Sequence, residues 1–420
     1  MGVVDFPQRK PEPNWQSQLL YGGRKGDTLQ SCVANVVLIL SNDEPWIGIV
    51  ARNEFSAADA SFRKSPPWDS AYAPRKMPKA GDPWSDADDS RAATWLANAW
   101  QLKVAPQVVA EAVKVAAQRN AFHPVRDYFE GLEHDGTPRL ATWLTAYMRA
   151  ETSSYTEAVG RWWMISAVAR IYQPGAKCDH LVIFESPQGF GKSTALKLLA
   201  GNDWFTDEIG DLGSKDAAMQ LQGRLIVELA ELDALRKAEW SRVKAFLSRC
   251  SDNYRPPWGR RVVDVPRQCI FGGSTNHSQY HQDETGARRL WGVPCGRADL
   301  TALERDRSQL WAEAVAEYRD GKEWWPTTAA EHAELAERQE DRRQADPWEP
   351  QIADWLALPR GEVTTANILS SCLDKKVGDW TRADENRIGA CMRALGWVGD
   401  RGRDAAGKQY RFWRKTEVDQ

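Results

Sequence analysis

No apolar run in this chain approaches the roughly 18–20 residues that span a bilayer, so no transmembrane helix is expected. The first 25 residues carry Asp5, Arg9, Lys10 and Glu12 and have no apolar core, which argues against a secretory signal. Cysteine is sparse and scattered, at 32, 178, 250, 269, 295, 372 and 391, and no pair has C-x-x-C spacing. An odd number without metal-ligand spacing points away from a disulfide or zinc framework and toward reduced thiols in the cytoplasm. A single-sign charge excess is also missing. The net charge is −3, so bulk electrostatics alone announce no nucleic-acid partner. There is no internal repeat and no low-complexity tract.

What remains is a chain of 420 residues, 42% hydrophobic and 27% charged. That excludes a largely disordered protein, because disorder follows low hydrophobicity with high net charge. At roughly 150 residues per domain, two to four domains are expected. Tryptophan is abundant at 21 residues and is read as packing material. Val36–Leu40 suits a buried strand or a short helix, and the prolines at 66, 67, 74, 78 and 83 mark a loop-rich stretch over 64–90. Pro106 fits a first helical turn, with Val109, Ala112, Val113 and Ala116 on one face. A further helical region runs from about Arg139 to Tyr172. Strands are expected at His180–Phe184, Leu225–Val227 and Gln268–Gly272, separated by helices, which gives an α/β core over about 175–298. Asp346–Pro350 reads as a linker. Beyond it come three helices, the third opened by a Thr381/Asp384 capping box. Trp397-Val398 and Tyr410–Trp413 then flank a turn around Ala406-Gly407, which is the order of a winged helix.

The sharpest motif is Glu185-Ser186-Pro187-Gln188-Gly189-Phe190-Gly191-Lys192-Ser193-Thr194. A strand precedes it and a helix follows, the context of a phosphate-binding loop. Backbone N–H groups of Ser186 and of Gln188 through Thr194 would cradle phosphates at the positive end of the helix. Lys192 would reach the β- and γ-phosphates of ATP, and Ser193 would hold Mg²⁺. Ser186 stands where the pattern has its first glycine. A second requirement is an acid at a neighbouring strand end. Glu228 fits it as a Mg²⁺ ligand, with Glu231 just beyond to orient water; two solvated glutamates on a helical turn are the alternative. Asn276, after an apolar strand, could sense the γ-phosphate. Arg288 and Arg289 could reach a neighbouring subunit's γ-phosphate, or could be an ordinary surface pair.

Local charge departs from the bulk. Residues 241–270 carry seven basic side chains against two acidic ones, interleaved with Tyr254 and Trp258. Charge that follows phosphates and rings that stack on bases suit single-stranded DNA, with Lys244, Arg255, Arg260 and Arg261 as candidates. A solvated basic loop is the plain alternative. Residues 387–415 carry eight basic side chains against two acidic ones. There Arg387, Arg401, Arg403 and Arg411 are candidates for duplex origin DNA, although winged helices also bind proteins.

In their order, the stations at Gln188–Thr194, Glu228–Leu232, Asn276 and Arg288-Arg289 are similar to superfamily 3 AAA+ helicases. Within that group the chain closely resembles the virulence-associated protein E family of phage and mobile-element replication proteins. The likeness extends over Asn53–Phe55, Phe122–Tyr128, Asp135–Arg139, Pro174-Gly175, Lys244–Ser248 and Tyr254–Pro257. It implies an α/β P-loop AAA+ core with a mainly helical N-terminal domain and a C-terminal winged helix. The expected layout is an accessory or oligomerisation region at 1–150, the ATPase core at 151–300, a helical connector at 301–345 and a winged-helix-like DNA-binding domain at 346–420. It implies a ring, hexameric in this group, that uses ATP and Mg²⁺ to move on single-stranded DNA in the cytoplasm of a bacterial host, with a primase or host replication proteins as partners. In that pattern Lys192, Ser193 and Glu228 bind nucleotide, Asn276 is sensor 1, Arg288 or Arg289 is the finger, and the basic stretch after 241 carries a hairpin facing the pore. Besides Ser186, His134 departs from the family's usual tryptophan. Relatives often carry an N-terminal primase–polymerase domain that this sequence does not show, so no primase activity is carried over. The competing expectation is a DNA-binding replication initiator or interference factor that uses ATP as an assembly switch without unwinding.

Overall fold

The computed structural model describes residues 13–415, apart from 57, 213, 231, 233–236, 257–260, 279, 281–286, 344, 359–361 and 404–408 and the side chains of 237, 238, 287, 403 and 410. In the N-terminal unit the run at Val36–Leu40 forms a helix, α1 (Val33–Asn42). An apolar run without alternation cannot separate strand from helix, and here packing against another helix decides. A short hairpin follows, β1 (Val50–Asn53) and β2 (Ala58–Phe62), then α2 (Asp86–Trp100) and α3 (Pro106–Gln118). Helix α3 starts at Pro106 and buries Val109, Ala112, Val113 and Ala116, as their spacing predicts. These elements share one apolar cluster from Trp15 to Ala117, rich in tryptophan pairs such as Trp46 with Trp68 and Trp95.

The central unit is built on α4 (Ser154–Tyr172), β3 (Leu181–Glu185), α5 (Lys192–Ala200), β4 (Phe205–Thr206), β5 (Ile226–Leu229), α6 (Lys237–Leu247), β6 (Ser251–Tyr254), β7 (Val263–Pro266), β8 (Ile270–Thr275), β9 (Leu290–Pro294), α7 (Leu300–Arg319) and α8 (Ala329–Glu340). Five strands form one parallel sheet in the order β9-β3-β8-β5-β4. Parallel strands need covered faces, and the residues alternate accordingly. Val182 and Phe184 enter the cluster shared with α4, α5 and α7, whereas Leu181 and Ile183 enter the cluster shared with α6. Each fully buried side chain of this size contributes roughly 1.5–3 kcal/mol relative to exposure.

Of the five strands, β3, β5 and β8 are those expected from sequence. Strand β4 has two residues, and β9 is interrupted by Gly292, so neither shows a run long enough to read. The glycines of β8 are steric. A Cβ at Gly272 would lie 2.7 Å from Leu196 of α5, and one at Gly273 would lie 2.6 Å from Leu232. The expected helical region over about 139–172 forms as two helices, Trp143–Met148 and Ser154–Tyr172, the first ending at Arg149, whose φ is 56°.

Packing moves two expected boundaries. Phe55, Val125, Phe129, Leu140, Trp143 and Leu144 belong to the cluster that covers the sheet, so that cluster reaches into the region expected as 1–150. Leu303, Leu310, Trp311 and Leu335 are buried in that same cluster. Helices α7 and α8 are therefore part of the central unit and not a connector.

The last unit has its own small core around Ile352, Ile368, Ile388, Cys391 and Met392. It contains α9 (Trp348–Leu356), a short helical segment over 365–372, α10 (Arg382–Ala394) and an antiparallel hairpin of β10 (Trp397–Arg403) and β11 (Gln409–Lys415). The Thr381/Asp384 capping box opens α10 as expected. The expected turn at Ala406-Gly407 lies outside the described residues. The expected linker is instead the start of α9, held by Arg343, whose guanidinium donates to both oxygens of Glu349 at 2.7 and 2.8 Å. Among the described residues, no helix is long and apolar enough to cross a membrane.

Candidate functional site

The loop between β3 and α5 lies at the carboxyl end of the parallel sheet, where α/β folds generally bind ligands. Gly189 and Gly191 have φ of 81° and 90°, in the left-handed region that favours glycine. Helix α5 starts at Lys192, and its first-turn N–H groups lack intrahelical partners, which gives the loop a positive end. Lys192 is 9% exposed. Its ammonium donates to the carbonyls of Ser186 and Pro187 and to Oδ1 of Asn276 at 3.2 Å. The hydroxyl of Ser186 is buried without a hydrogen-bond partner among the described residues. A cleft of about 330 Å³ opens here, with Gln188, Phe190, Thr194, Ala230, Ser274 and Asn276 in its wall.

Glu228 lies on β5 and is 1% exposed. Alternation along the strands puts it on the α5 face, together with Gly272 and Ser274 of β8. Ser193 and Ser274 each donate to its Oε1 at 2.7 Å. Its Oε2 is buried and accepts no hydrogen bond among the described residues. Burial pushes this carboxyl above its ordinary range, and the two hydroxyls pull it partly back. A buried carboxylate with one orphaned oxygen beside a serine hydroxyl has the chemistry of a hard-cation site, since oxygen donors of this kind bind Mg²⁺. The residues present therefore fit that ion, and Ser193 and Glu228 would hold it.

The remaining expected residues divide. Glu231 and Arg260 lie outside the described residues. Arg288 and Arg289 precede β9, at the amino edge of the sheet, so within one chain they stand at the opposite edge from the loop. Arg289 is half-buried and donates to Asp179 at 3.1 Å. Arg288 is exposed and has no carboxylate partner among the described residues. In the basic stretch, Lys244 is on α6, and Arg255 and Arg261 are exposed on the segments that join β6 and β7. Arg267 is not surface charge. It is buried, donates to both oxygens of Asp252 at 2.6 and 2.8 Å, and lies 4.2 Å over Phe246.

In the last unit a cleft of about 1260 Å³ opens between α10 and the hairpin. Arg401 and Arg411 line it. Arg382 and Arg393, which were not among the candidates, line it too, and Trp413 forms part of its wall. Arg387 is turned away. It donates to Asp346 at 2.8 Å through both Nε and Nη2 and lies 3.8 Å over Trp348, so it ties α10 to α9 instead of offering charge to a ligand. Arg403 is in β10, and its side chain is outside the described set.

Sequence reasoning also missed two supports of the site. Ser274 could have been found by counting two residues on from Gly272 along the same strand face. Glu185, Tyr280 and Arg342 could not, because 157 positions separate the carboxylate from its guanidinium. Glu185 ends β3 and accepts from Arg342 through both of its oxygens and from Tyr280 at 2.8 Å. A Cβ at Gly292 would collide with both members of that ion pair, which is why β9 carries glycine there.

A five-stranded parallel sheet with a glycine-turned loop, a lysine and a buried acid at its carboxyl edge is consistent with an α/β core of the nucleotide-binding kind. The family model for the virulence-associated protein E-like domain matches residues 129–344, and the chain belongs to that family. The match ends two residues after Arg342, so it takes in α7 and α8 as the packing does. No curated protein matches the chain. Among solved structures the chain is similar to the apo structure of the NrS-1 C terminal region (305-718), at 13% identity and a TM-score of 0.41 over 68% of this chain and 77% of that one. It is similar to the A form apo structure of the same region at 13% identity and a TM-score of 0.40, over 68% and 78%.

Proposed function

We propose that the chain is an ATP-hydrolysing P-loop motor of the superfamily 3 AAA+ type that moves on single-stranded DNA during phage or mobile-element replication. The observation that carries this reading is the Ser193–Glu228–Ser274 arrangement, with its orphaned carboxylate oxygen, next to Lys192 and Asn276. In this reading Lys192 leaves the loop carbonyls to hold the β- and γ-phosphates. The backbone N–H groups of Gly189 through Thr194 cradle the same phosphates. When bound by Ser193 and Glu228, Mg²⁺ neutralises charge on the phosphate oxygens. Asn276 orients the attacking water, and Glu231 accepts its proton. Arg288 of a neighbouring subunit stabilises the charge that develops at the γ-phosphate.

The position of Arg288 supports a shared site. A side chain at the far edge of its own sheet can act only on another subunit, and head-to-tail contacts that close make a ring, proposed as a hexamer. The exposed Arg255 and Arg261 beside the β6–β7 hairpin support contact with a DNA strand in the ring. Three helical segments followed by a hairpin support a winged helix, with Arg401 and Arg411 on duplex origin DNA. A primase or host replication protein would be recruited to the assembled ring.

The test is ATP hydrolysis with and without single-stranded DNA, on this chain and on Lys192→Ala. Stimulation by DNA that vanishes in the variant supports the motor, and strand displacement on forked DNA then follows. ATP binding without turnover would move the reading to an assembly switch, with Ser186 as the first residue to change. Absence of nucleotide binding would end it.

A further inference from the structure

The phosphate end of the cleft is defined by contacts on one side of β3. Lys192 touches Asn276, just beyond β8, and Ser193 touches Glu228 on β5. Strand β9 borders β3 on the other side, and the segment that leaves it packs on the loop. The Ala298 N–H donates to the Phe190 carbonyl at 2.9 Å. Gly191 is approached so closely that a Cβ there would lie 3.3 Å from the Ala298 methyl. The Arg297 guanidinium stands over the Phe190 ring, 5.3 Å from its centroid. Arg297 is exposed and has no carboxylate partner among the described residues. The nearby Asp299 is committed elsewhere, since it caps α7 through Ala302 and pairs with Arg149 at 3.2 Å.

A triphosphate with its terminal phosphate at Asn276 and Glu228 runs back across the amino terminus of α5 and leaves its nucleoside on the β9 flank. We propose that Arg297, backed by Phe190, is the base-stacking residue of a purine nucleoside triphosphate site. A planar guanidinium stacks on a flat base and is held level by the ring beneath it. Stacking scales with ring area and ignores exocyclic groups, so ATP and GTP bind alike, and CTP and UTP bind more weakly. This assignment rests on the nucleotide reading given above.

The experiment compares ATP, CTP and inorganic tripolyphosphate by calorimetric titration on the full chain. The variants are Arg297→Ala, Arg297→Lys and Lys192→Ala, each checked for an unchanged melting temperature. Arg297→Ala is expected to weaken ATP by about 3- to 30-fold and to leave tripolyphosphate unchanged. Arg297→Lys keeps the charge but not the plane and is expected to resemble Arg297→Ala. Lys192→Ala should weaken ATP and tripolyphosphate together. Unchanged ATP affinity in Arg297→Ala overturns the base contact while the phosphate reading stands. Equal weakening of ATP and tripolyphosphate makes Arg297 a phosphate contact and also overturns the proposal. Wild-type CTP affinity equal to that for ATP removes the purine assignment. A wild-type chain that binds none of the three overturns both readings.

Discussion

Ser193 donates to Oε1 of Glu228 at 2.7 Å, and the other oxygen of that buried carboxylate has no hydrogen-bond partner among the described residues. The two residues are 35 positions apart and meet because helix α5 lies across the face of β5 that presents Glu228. Replacing this carboxylate with an amide removes the charge while keeping the shape. Glu228→Gln is therefore expected to bind ATP within a few fold of wild type but to lose at least about 100-fold in turnover, on the scale of other electrostatic deletions. Binding and hydrolysis measured side by side check this, and near-normal turnover would exclude a catalytic role for Glu228.

The Glu185–Arg342 pair is buried, and Tyr280 adds a third contact. Removing one partner strands a charge in the interior. Arg342→Met should cost about 3–5 kcal/mol of stability, and Glu185→Gln combined with Arg342→Met should recover much of it. The sign with pH is defined. Burial already raises the Glu185 carboxyl, and loss of Arg342 raises it further. The penalty is then largest at neutral pH and shrinks as pH falls toward the carboxyl's ordinary value of 4.5. Urea denaturation of the three variants at pH 5 and 7 tests the cycle, and a penalty independent of pH would count against it.

Arg387 and Arg401 occur in one basic stretch yet have different surroundings, Arg387 paired with Asp346 and Arg401 in the wall of the cleft. Arg401→Ala and Arg411→Ala should each lower the slope of log affinity for DNA against log salt by about 1. Arg387→Ala should leave that slope alone and instead cost on the order of 1 kcal/mol in the last unit, through the lost Asp346 pair and the Trp348 contact. Salt titrations of DNA binding together with thermal melts separate the two effects. A slope change in Arg387→Ala would return it to the DNA surface.

His180 is buried, stacked on Trp291 with centroids 3.9 Å apart, and burial pushes its imidazole down to about 3. An unfolded histidine takes a proton near pH 6.5. The folded chain refuses that proton until near pH 3. The stability this group contributes is therefore complete above about 6.5 and is lost as pH falls toward 3, by up to about 1.4 kcal/mol per pH unit. His123 is shifted the same way, again chiefly by burial. The melting temperature should drop between pH 7 and 5, and less so in His180→Gln. An equal drop in that variant would remove His180 as a cause.

The sequence alone determined the parts whose signal is local. The loop from Ser186 to Thr194, the strands β3, β5 and β8, the start of α3 at Pro106 and the Thr381/Asp384 cap all follow from spacing within a dozen residues, because periodicity and turn chemistry are properties of short segments. Tertiary structure decided whatever depends on partners far along the chain. It gave Glu228 a second donor in Ser274, joined Glu185 to Arg342, and committed Arg267 and Arg387 to Asp252 and Asp346. In the sequence these three arginines and their neighbours differ little in type. Their roles diverge because burial makes an unpaired charge costly, so an arginine enclosed by the fold takes a carboxylate or, like Arg170, a set of backbone carbonyls, while one left in water stays available to a ligand.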